Sequence, residues 1–337
     1  RAVPTFAASI NVVATIGEDR MAGETNHVSA MRAKFRDILS RDKMTVMPGG
    51  FSPLYARMAE EIGFESFFIA GSQMSAFLLG VPDNGILGLR DMVDHCRHVA
   101  ARAAIPIQLD ADTGFGNAVN VDFAVEEIIA SGVAACNFED QESPKKSATM
   151  AGRRTVSKEE HVGKIKAAVA RRDQIDPDFA ICARNDTLGA EGTNFPEALD
   201  RCIAYVEEGG ADYVWLNSVE TREDLKKACK EIPAPVQVIW GGKDAAPSPA
   251  EYEDLGVRIA LYPVFFATIG MTAAWHVMSD FKARGPVALA DFNKWVADGP
   301  YGLVNQKMLT NADRVREVED NYLTEDDQRD YENTWGH

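Results

Sequence analysis

Short apolar segments alternate with amphipathic stretches along most of this chain, and this alternation limits its fold more than any other feature. Eight segments have the length and composition of buried strands: residues 45–47, 66–70, 106–109, 134–138, 179–183, 212–216, 236–240 and 258–262. Apolar residues recur at helical spacing in the stretches between them: residues 53–62, 89–103, 119–131, 158–172, 196–208 and 222–232. Strand followed by helix, repeated eight times, predicts an α/β fold, a (β/α)8 TIM-type barrel.

One barrel domain is favoured over its rival, a doubly wound sheet. The rival would need a nucleotide-binding GxGxxG after its first strand, and residues 47–51, MPGGF, do not match that pattern. The sequence also contains no linker that would split it into two domains. We therefore predict a single domain over residues 1–337, with an N-terminal segment and helix in 1–42, the barrel in 43–283 and C-terminal helices in 284–337.

Composition argues against several classes of protein. The chain has 51 acidic and 35 basic residues, a formal net charge of −16, and no basic cluster, so we expect neither nucleic acid nor a membrane among its partners. No apolar run approaches the roughly 20 residues needed to cross a bilayer. The five cysteines are odd in number and lack CxxC spacing, which favours a reducing compartment. We therefore predict a cytoplasmic protein.

Acidic residues follow several predicted strands, at the end of the barrel where active sites lie. The third strand ends in DADTGFG, which puts Asp110 and Asp112 on one side of the chain. Asp83 follows the second strand, Glu139 the fourth and Arg184 the fifth. Converging carboxylates repel one another without a cation, and an all-oxygen site suits Mg²⁺, with Mn²⁺ as the substitute. Each acid alone is also explained as a helix N-cap, but caps require neither a DxD pair nor an arginine at the same level.

These motifs resemble those of a known family. The run DADTGFGNAVNV, followed by NFEDQ at residues 137–141 and ARND at residues 183–186, is similar to the isocitrate lyase and phosphoenolpyruvate mutase superfamily, and the similarity extends over residues 30–280. The resemblance implies a Mg²⁺-dependent α/β barrel that makes or breaks C–C or C–P bonds beside a 2-oxo or 2-hydroxy acid, through an enolate. It therefore implies a small-molecule carboxylate substrate.

The resemblance also implies roles for individual residues. Four carboxylates would hold the metal, the first directly and the others largely through water: Asp110, Asp83, Asp112 and Glu139. The backbone N–H groups of Gly71 and Ser72 would bind the substrate carboxylate. Arg184 would bind the substrate oxygens as both a catalytic and a substrate-binding residue.

A loop after the fourth strand, residues 142–149, distinguishes the branches of this superfamily. Lyases of the isocitrate and methylisocitrate type carry Lys-Lys-Cys-Gly-His or Lys-Arg-Cys-Gly-His there, and the cysteine protonates the leaving enolate. This chain keeps Lys145 and has Ser147 at the cysteine position, and we predict that both are catalytic. A serine hydroxyl is a far weaker acid than a thiol, so isocitrate is not the expected substrate. Asp186 is typical of the lyases, whereas Asn217 fits neither branch and is expected to bind a neutral substrate group.

Three functions are consistent with these observations. The favoured one is a carbon–carbon lyase of the oxo-acid-lyase type, acting on a small substituted 2-hydroxy- or 2-oxo-dicarboxylate, as dimethylmalate and methylisocitrate lyases do. The alternative is a phosphonopyruvate-type C–P hydrolase or an oxaloacetate-type decarboxylase or hydrolase, which needs the metal but no cysteine acid. A barrel that binds a carboxylate without turning it over is disfavoured, since unpaired buried charges are costly to keep.

Helices outside the barrel bear on the oligomeric state. We predict a helix over residues 29–39 before the first strand and two or three helices within residues 286–322. Members of the superfamily exchange late helices between subunits, and the apolar residues 264–277 form a stretch that is long for a helix that only covers strands. We therefore expect a helix-swapped homo-oligomer, a homotetramer built as a dimer of dimers.

Overall fold

Eight parallel strands close into a barrel in which β1 pairs with both β2 and β8. The computed structural model describes residues 24–147, 150–297, 309–331 and 333–334. The strands are β1 (Thr45–Gly50), β2 (Phe67–Ile69), β3 (Ile107–Asp110), β4 (Ala135–Glu139), β5 (Ala180–Asn185), β6 (Tyr213–Val219), β7 (Val236–Trp240) and β8 (Ile259–Tyr262). This topology confirms the prediction of a (β/α)8 TIM-type barrel.

Helices connect consecutive strands and extend the chain at both ends. They are α1 (Glu24–Ser40), α2 (Pro53–Ile62), α3 (Gly71–Met74), α4 (Leu89–Ala100), α5 (Ala118–Ala130), α6 (Lys158–Ile175), α7 (Phe195–Glu207), α8 (Arg222–Glu231), α9 (Pro249–Asp254), α10 (Phe265–Arg284), α11 (Pro286–Ala297) and α12 (Asp313–Tyr322). Side-chain caps fix several of their first turns. Ser157, for example, accepts a hydrogen bond from the Glu160 N–H, and Ser248 forms a capping box with Glu251.

The structure differs from the sequence prediction mainly in short elements. Helix α1 begins at Glu24 instead of residue 29, because its polar first turns carry no apolar periodicity. After β2 the chain forms α3 and then a π-helical turn, Ser75–Leu79, both too short for periodicity to reveal. The N-terminal segment 1–23 and part of the predicted C-terminal helical region, residues 298–308, lie outside the described residues.

Helix α1 closes the amino-terminal end of the barrel. The ring of Phe35 packs 5.8 Å from that of Tyr213, the first residue of β6, and Ile38 and Leu39 join the same buried cluster. At the rim Arg36 Nη1 lies 2.6 Å from Asp212 Oδ1. With this end filled, the opposite end of the barrel, where the strands finish, remains for chemistry.

The chain divides into two compact units, one up to Ala267 and the other from Thr268 onward. The prediction of a single domain stays a prediction. The second unit contains α11 and α12 and carries large apolar side chains that are strongly exposed, among them Trp275 at 76% and Trp295 at 67%. None of the described helices combines the length and apolar character needed to cross a membrane.

Candidate active site

Two aspartates at the end of β3 share one buried space. Asp110 ends the strand, and Asp112 adopts a left-handed conformation with φ of 48°. The Asp112 carbonyl accepts a hydrogen bond from the Glu139 N–H at 2.8 Å, which ties the ends of β3 and β4 together. Asp110 Oδ1 accepts a hydrogen bond from Asn137 Nδ2 at 2.9 Å. The DxD segment is therefore held by backbone and side-chain contacts to the neighbouring strand.

Gly71 lies against both carboxylates. A Cβ at this position would be 3.2 Å from Asp110 Oδ2 and 3.3 Å from Asp112 Oδ1, so any larger residue would press on the pair. The Gly71 N–H donates to Asp110 Oδ2 at 3.3 Å. Ser72 follows on the same turn of α3 and is half-buried. The structure thus places Gly71 against the aspartate pair, with its N–H directed at Asp110, and Ser72 next to it in the chain.

The side chain of Lys145 reaches into the carboxylate cluster from the loop after β4. Its Nζ lies 2.7 Å from Asp83 Oδ1, 2.6 Å from Asp112 Oδ1 and 4.0 Å from Glu139 Oε1. Only 2% of the lysine is exposed. The sequence predicts a catalytic role for Lys145 but contains no signal that its ammonium lies between predicted metal-binding carboxylates.

Burial and mutual repulsion shift the pKa values of this cluster. Burial raises the pKa of Asp112 to about 6, with Lys145 opposing the rise and Asp110 adding to it. Burial also raises the pKa of Glu139 well above its usual range, although Arg184 and Lys145 oppose it. For Lys145, burial lowers the pKa, but the carboxylates, Glu139 first, outweigh that effect and raise it well above 10.5. The ammonium therefore stays charged at neutral pH, and the cluster strongly favours a cation.

The same cluster has the chemistry of a magnesium site. Within the described residues, no group of three or more His, Cys, Asp or Glu side chains is arranged to hold a metal ion directly. Glu139 Oε1 accepts no hydrogen bond from the described residues, whereas Glu139 Oε2 and Asp112 Oδ1 each face a single cation, Arg184 Nη1 at 3.0 Å and Lys145 Nζ at 2.6 Å. Buried carboxylate oxygens with spare acceptor capacity fit Mg²⁺, which keeps several waters and takes few protein ligands. The donors therefore fit a metal held largely through water.

Arg184 is fixed on two sides at the end of β5. Its Nε lies 2.7 Å from Asp186 Oδ2, and its Nη2 donates to Asp186 Oδ1 at 3.2 Å. Its Nη1 lies 3.0 Å from Glu139 Oε2. The guanidinium also stacks over the Trp215 ring at 4.2 Å from the centroid. This packing holds the buried arginine in one orientation beside the carboxylate cluster.

Asp186 also accepts hydrogen bonds from residues other than Arg184. Asn217 Nδ2 donates to Asp186 Oδ1, and Arg153 Nη1 donates to the same oxygen at 3.3 Å. Burial raises the pKa of Asp186, but Arg184 and the hydrogen bonds bring it below its ordinary value. The buried Asn217 Oδ1 accepts no hydrogen bond from the described residues. Arg153 is not among the residues predicted from sequence, where the adjacent Arg153–Arg154 pair just after the loop is its only signal.

Hydrogen bonds hold the loop over the mouth of the barrel. Asn84 Nδ2 donates to the Lys145 carbonyl at 3.1 Å, and Gln141 exchanges two hydrogen bonds with the backbone of Lys146, at 3.0 and 3.1 Å. Ser147 is half-buried, and its carbonyl accepts a hydrogen bond from the Met150 N–H at 2.8 Å. The described part of the loop, residues 142–147, is therefore held in place, with Lys145 directed inward.

Comparisons with known proteins find a matching family model and similar proteins. Residues 35–282 match the model of the phosphoenolpyruvate phosphomutase family. The 2,3-dimethylmalate lyase of Eubacterium barkeri is 39% identical over 87% of this chain and 98% of its own length. A solved oxaloacetate acetylhydrolase in complex with 3,3-difluorooxalacetate superposes with a TM-score of 0.77 at 28% identity, covering 86% of this chain and 96% of that one. A phosphonopyruvate hydrolase in complex with oxalate and Mg²⁺ gives a TM-score of 0.75 at 30% identity, covering 88% of this chain and 100% of that one.

Proposed function

Since the chain belongs to the phosphoenolpyruvate mutase and isocitrate lyase superfamily and is a lyase, we propose that it cleaves a carbon–carbon bond in a small substituted 2-hydroxy- or 2-oxo-dicarboxylate, in a Mg²⁺-dependent reaction through an enolate. The observation that carries the proposal is the buried carboxylate cluster beside Arg184, in a chain that spans 98% of a 2,3-dimethylmalate lyase. Substrate class and metal dependence are both part of the proposal.

Four carboxylates would hold the metal, the first directly and the others largely through water: Asp110, Asp83, Asp112 and Glu139. Bound Mg²⁺ would act as a Lewis acid that polarises the substrate carbonyl or alkoxide, and Mn²⁺ would substitute for it. The all-oxygen donor set and the acceptor capacity left on Glu139 support this assignment. The raised pKa of Glu139 is consistent with it, since burial outweighs Arg184 and Lys145 there and a further cation would favour the ionised carboxylate.

The substrate would be bound mainly by Arg184, whose guanidinium would engage a carboxylate or the neighbouring oxygen of the substrate. Its orientation by Asp186 and Trp215 supports this role, because a preformed guanidinium loses little freedom on binding. The N–H groups of Gly71 and Ser72 would bind the same substrate end. Asn217 Oδ1, which accepts no hydrogen bond from the described residues, would accept one from the substrate hydroxyl.

Lys145 and Ser147 would act from the closed loop. Lys145 would stabilise the negative charge that develops as the bond breaks, and its raised pKa keeps the ammonium charged for that task. Ser147 would pass a proton to the departing enolate within a relay, since a lone serine hydroxyl is too weak an acid to do so by itself. The docking of the loop by Asn84 and Gln141 supports a role in excluding water during the reaction.

A second candidate function has one specific observation in its favour. Ser147 replaces the cysteine acid, and neither C–P hydrolysis nor oxaloacetate-type decarboxylation or hydrolysis requires that acid. Similar solved structures include an oxaloacetate acetylhydrolase and a phosphonopyruvate hydrolase. Against it, Asp186 follows the lyase pattern after Arg184.

Product detection by mass spectrometry separates these functions. The protein would be incubated with methylated malates, methylisocitrate, oxaloacetate and phosphonopyruvate, each with Mg²⁺ and with EDTA. Two smaller acids formed from a methylated malate or from methylisocitrate only with Mg²⁺ would support the lyase. Release of phosphate from phosphonopyruvate, or of CO₂, acetate or oxalate from oxaloacetate, would favour the second candidate. No product from any compound would contradict both.

The assembly is also a proposal. We propose a cytoplasmic homo-oligomer, a dimer of dimers with exchanged C-terminal helices. Large apolar side chains on α10 and α11 support it, since Trp275, Met278 and Trp295 are 76%, 71% and 67% exposed. The five cysteines, all free, support a reducing compartment. Light scattering at micromolar concentration should give about four times the 36.8 kDa chain mass, and a 36.8 kDa species alone would contradict the assembly.

A further inference from the structure

A second buried carboxylate, Asp140, lies behind the arginine of the proposed active site. It follows Glu139 at the end of β4 and has no exposed surface. Its two oxygens accept four hydrogen bonds, from the Tyr205 hydroxyl at 2.7 Å, the Asp186 N–H at 2.8 Å, the Thr187 hydroxyl at 3.3 Å and Asn185 Nδ2 at 3.4 Å. None of the functions assigned above uses this group.

Three of these donors belong to the residues that follow Arg184 directly. Asp140 therefore fixes the segment at the end of β5 through its backbone and side chains. Within that segment the Asp186 carboxylate contacts the Arg184 guanidinium, with Nε at 2.7 Å from Oδ2 and Nη2 at 3.2 Å from Oδ1. A continuous line of contacts thus runs from Tyr205 on α7 through Asp140 and Asp186 to Arg184.

The fourth donor, Tyr205, has a ring and a hydroxyl with separable roles. The ring packs edge-on against His161 with centroids 4.5 Å apart, a contact that phenylalanine would keep. The hydroxyl makes the shortest of the four hydrogen bonds to Asp140. Arg201 Nη1 lies 3.8 Å from Asp140 Oδ2 and 3.5 Å from the Tyr205 hydroxyl oxygen.

We propose that Tyr205 is a positioning residue for Arg184, acting through Asp140 and Asp186. Without the hydroxyl, Asp140 loses its closest donor and turns toward Arg201. This movement weakens the hydrogen bond from the Asp186 N–H to Asp140. The Arg184 guanidinium, which Asp186 orients, then moves away from the substrate. The proposal rests on the proposed function, in which Arg184 binds the substrate carboxylate.

The test compares Tyr205→Phe with a matched control, Tyr213→Phe. Tyr213 is also fully buried, but it lies at the amino-terminal end of the barrel against Phe35. With the substrate found in the product assay, we expect Tyr205→Phe to raise KM about tenfold with a smaller change in kcat, because Arg184 binds ground and transition states alike. Tyr213→Phe should leave both constants within twofold, although it removes a buried hydroxyl as well.

Calorimetric titration with oxalate in the presence of Mg²⁺ measures the affinity of the same site for a ligand that is not turned over. We expect Tyr205→Phe to weaken oxalate about tenfold and Arg184→Lys to weaken it further, with no added loss in the double variant, because Tyr205 acts through Arg184. If Tyr205→Phe does not fold, Asp140→Asn replaces it with the same expectations. The melting temperature of the variant used, compared with that of Tyr213→Phe, shows whether its folding is affected.

The outcomes are distinct. An oxalate affinity within twofold of wild type in Tyr205→Phe, or losses that multiply in the double variant, would overturn the positioning role while leaving the lyase intact. Oxalate binding with the expected losses but no turnover of any substrate would overturn the proposed function and keep the positioning role. A wild type that does not bind oxalate would overturn both.

Discussion

Lys145 Nζ lies 2.6 Å from Asp112 Oδ1, so a loop residue and the second aspartate of the DxD segment form an ion pair that is almost completely buried. The same ammonium lies 2.7 Å from Asp83 Oδ1. Closing the loop therefore delivers a positive charge to the carboxylate cluster. Removing one member of such a buried pair leaves the other uncompensated, which makes both residues sensitive to substitution.

Lys145→Met should abolish most activity without unfolding the barrel. The variant keeps the packing of the side chain but leaves the carboxylates of Asp83, Asp112 and Glu139 facing one another, so we expect kcat/KM to fall about 10²- to 10³-fold. Steady-state kinetics measure this loss. Lys146→Met is the matched control, since Lys146 is the next residue along the chain and its side chain makes none of these ion pairs. Equal losses in both variants would contradict the role given to Lys145.

Arg184→Lys should be a severe change despite the retained charge. Lysine cannot reproduce the two contacts to Asp186 or the stacking on Trp215, so we expect kcat/KM to fall about 10²-fold or more, mostly through KM. The half-buried Arg171, which pairs with Glu126 far from the proposed site along the chain, supplies Arg171→Lys as the control. A KM unchanged in Arg184→Lys would show that this arginine does not bind the substrate.

Gly71→Ala tests the close approach of the α3 backbone to the aspartate pair. The new methyl group would lie 3.2 Å from Asp110 Oδ2 and 3.3 Å from Asp112 Oδ1, which forces a small displacement of both carboxylates. We expect kcat/KM to fall about 10- to 100-fold, because active-site geometry tolerates little displacement. Gly163→Ala, where a Cβ has nothing within 4 Å, should keep full activity and gain slight stability. Full activity in Gly71→Ala would contradict the tight fit.

His161 should make the protein less stable in acid. Burial, with Lys164 and Arg201 adding to it, lowers the pKa of His161 from 6.5 to about 3. Between these values the unfolded chain binds a proton that the folded chain excludes, so stability falls as the pH is lowered through that range. Lowering the pH from 7 to 5 should cost about 2 kcal/mol through this residue.

His161→Phe removes that proton while keeping an aromatic ring against Tyr205. Urea unfolding at pH 7 and pH 5 should therefore show a loss of stability that is about 2 kcal/mol smaller in the variant than in the wild type. The buried Asp140, whose pKa burial raises to about 6, acts in the opposite direction but equally in both proteins. Identical losses in the two proteins would show that His161 is protonated in the folded state.

The barrel and its mouth could be predicted from sequence because both depend on local periodicity and one topological rule. Apolar runs gave the strands, and the rule that active sites lie at the strand ends singled out Asp110 and Asp112. The position of Lys145 could not be predicted in this way. It depends on loop conformation, which is set by tertiary contacts such as the hydrogen bond from Asn84 Nδ2 to the Lys145 carbonyl.

The positioning network behind Arg184 is invisible in the sequence for a different reason. Tyr205 occupies a buried position on the inner face of α7, where an aromatic residue needs no further explanation. Its hydroxyl partner, Asp140, is 65 residues away along the chain. Only the packing of α7 against β5 and β6 brings the two groups together, and no periodicity encodes that contact.

Cleavage of 2,3-dimethylmalate tests the central claim most directly. When the bond between C2 and C3 breaks, the C2 hydroxyl gives up its proton and becomes the keto group of pyruvate, and the other fragment leaves as the enolate of propionate, which takes up one proton at carbon. We predict equal amounts of pyruvate and propionate with Mg²⁺, no products with EDTA, and recovery when excess Mg²⁺ is restored. Products that persist after chelation and removal of the metal, or no cleavage with Mg²⁺ of this or any other substituted dicarboxylate, would contradict the account.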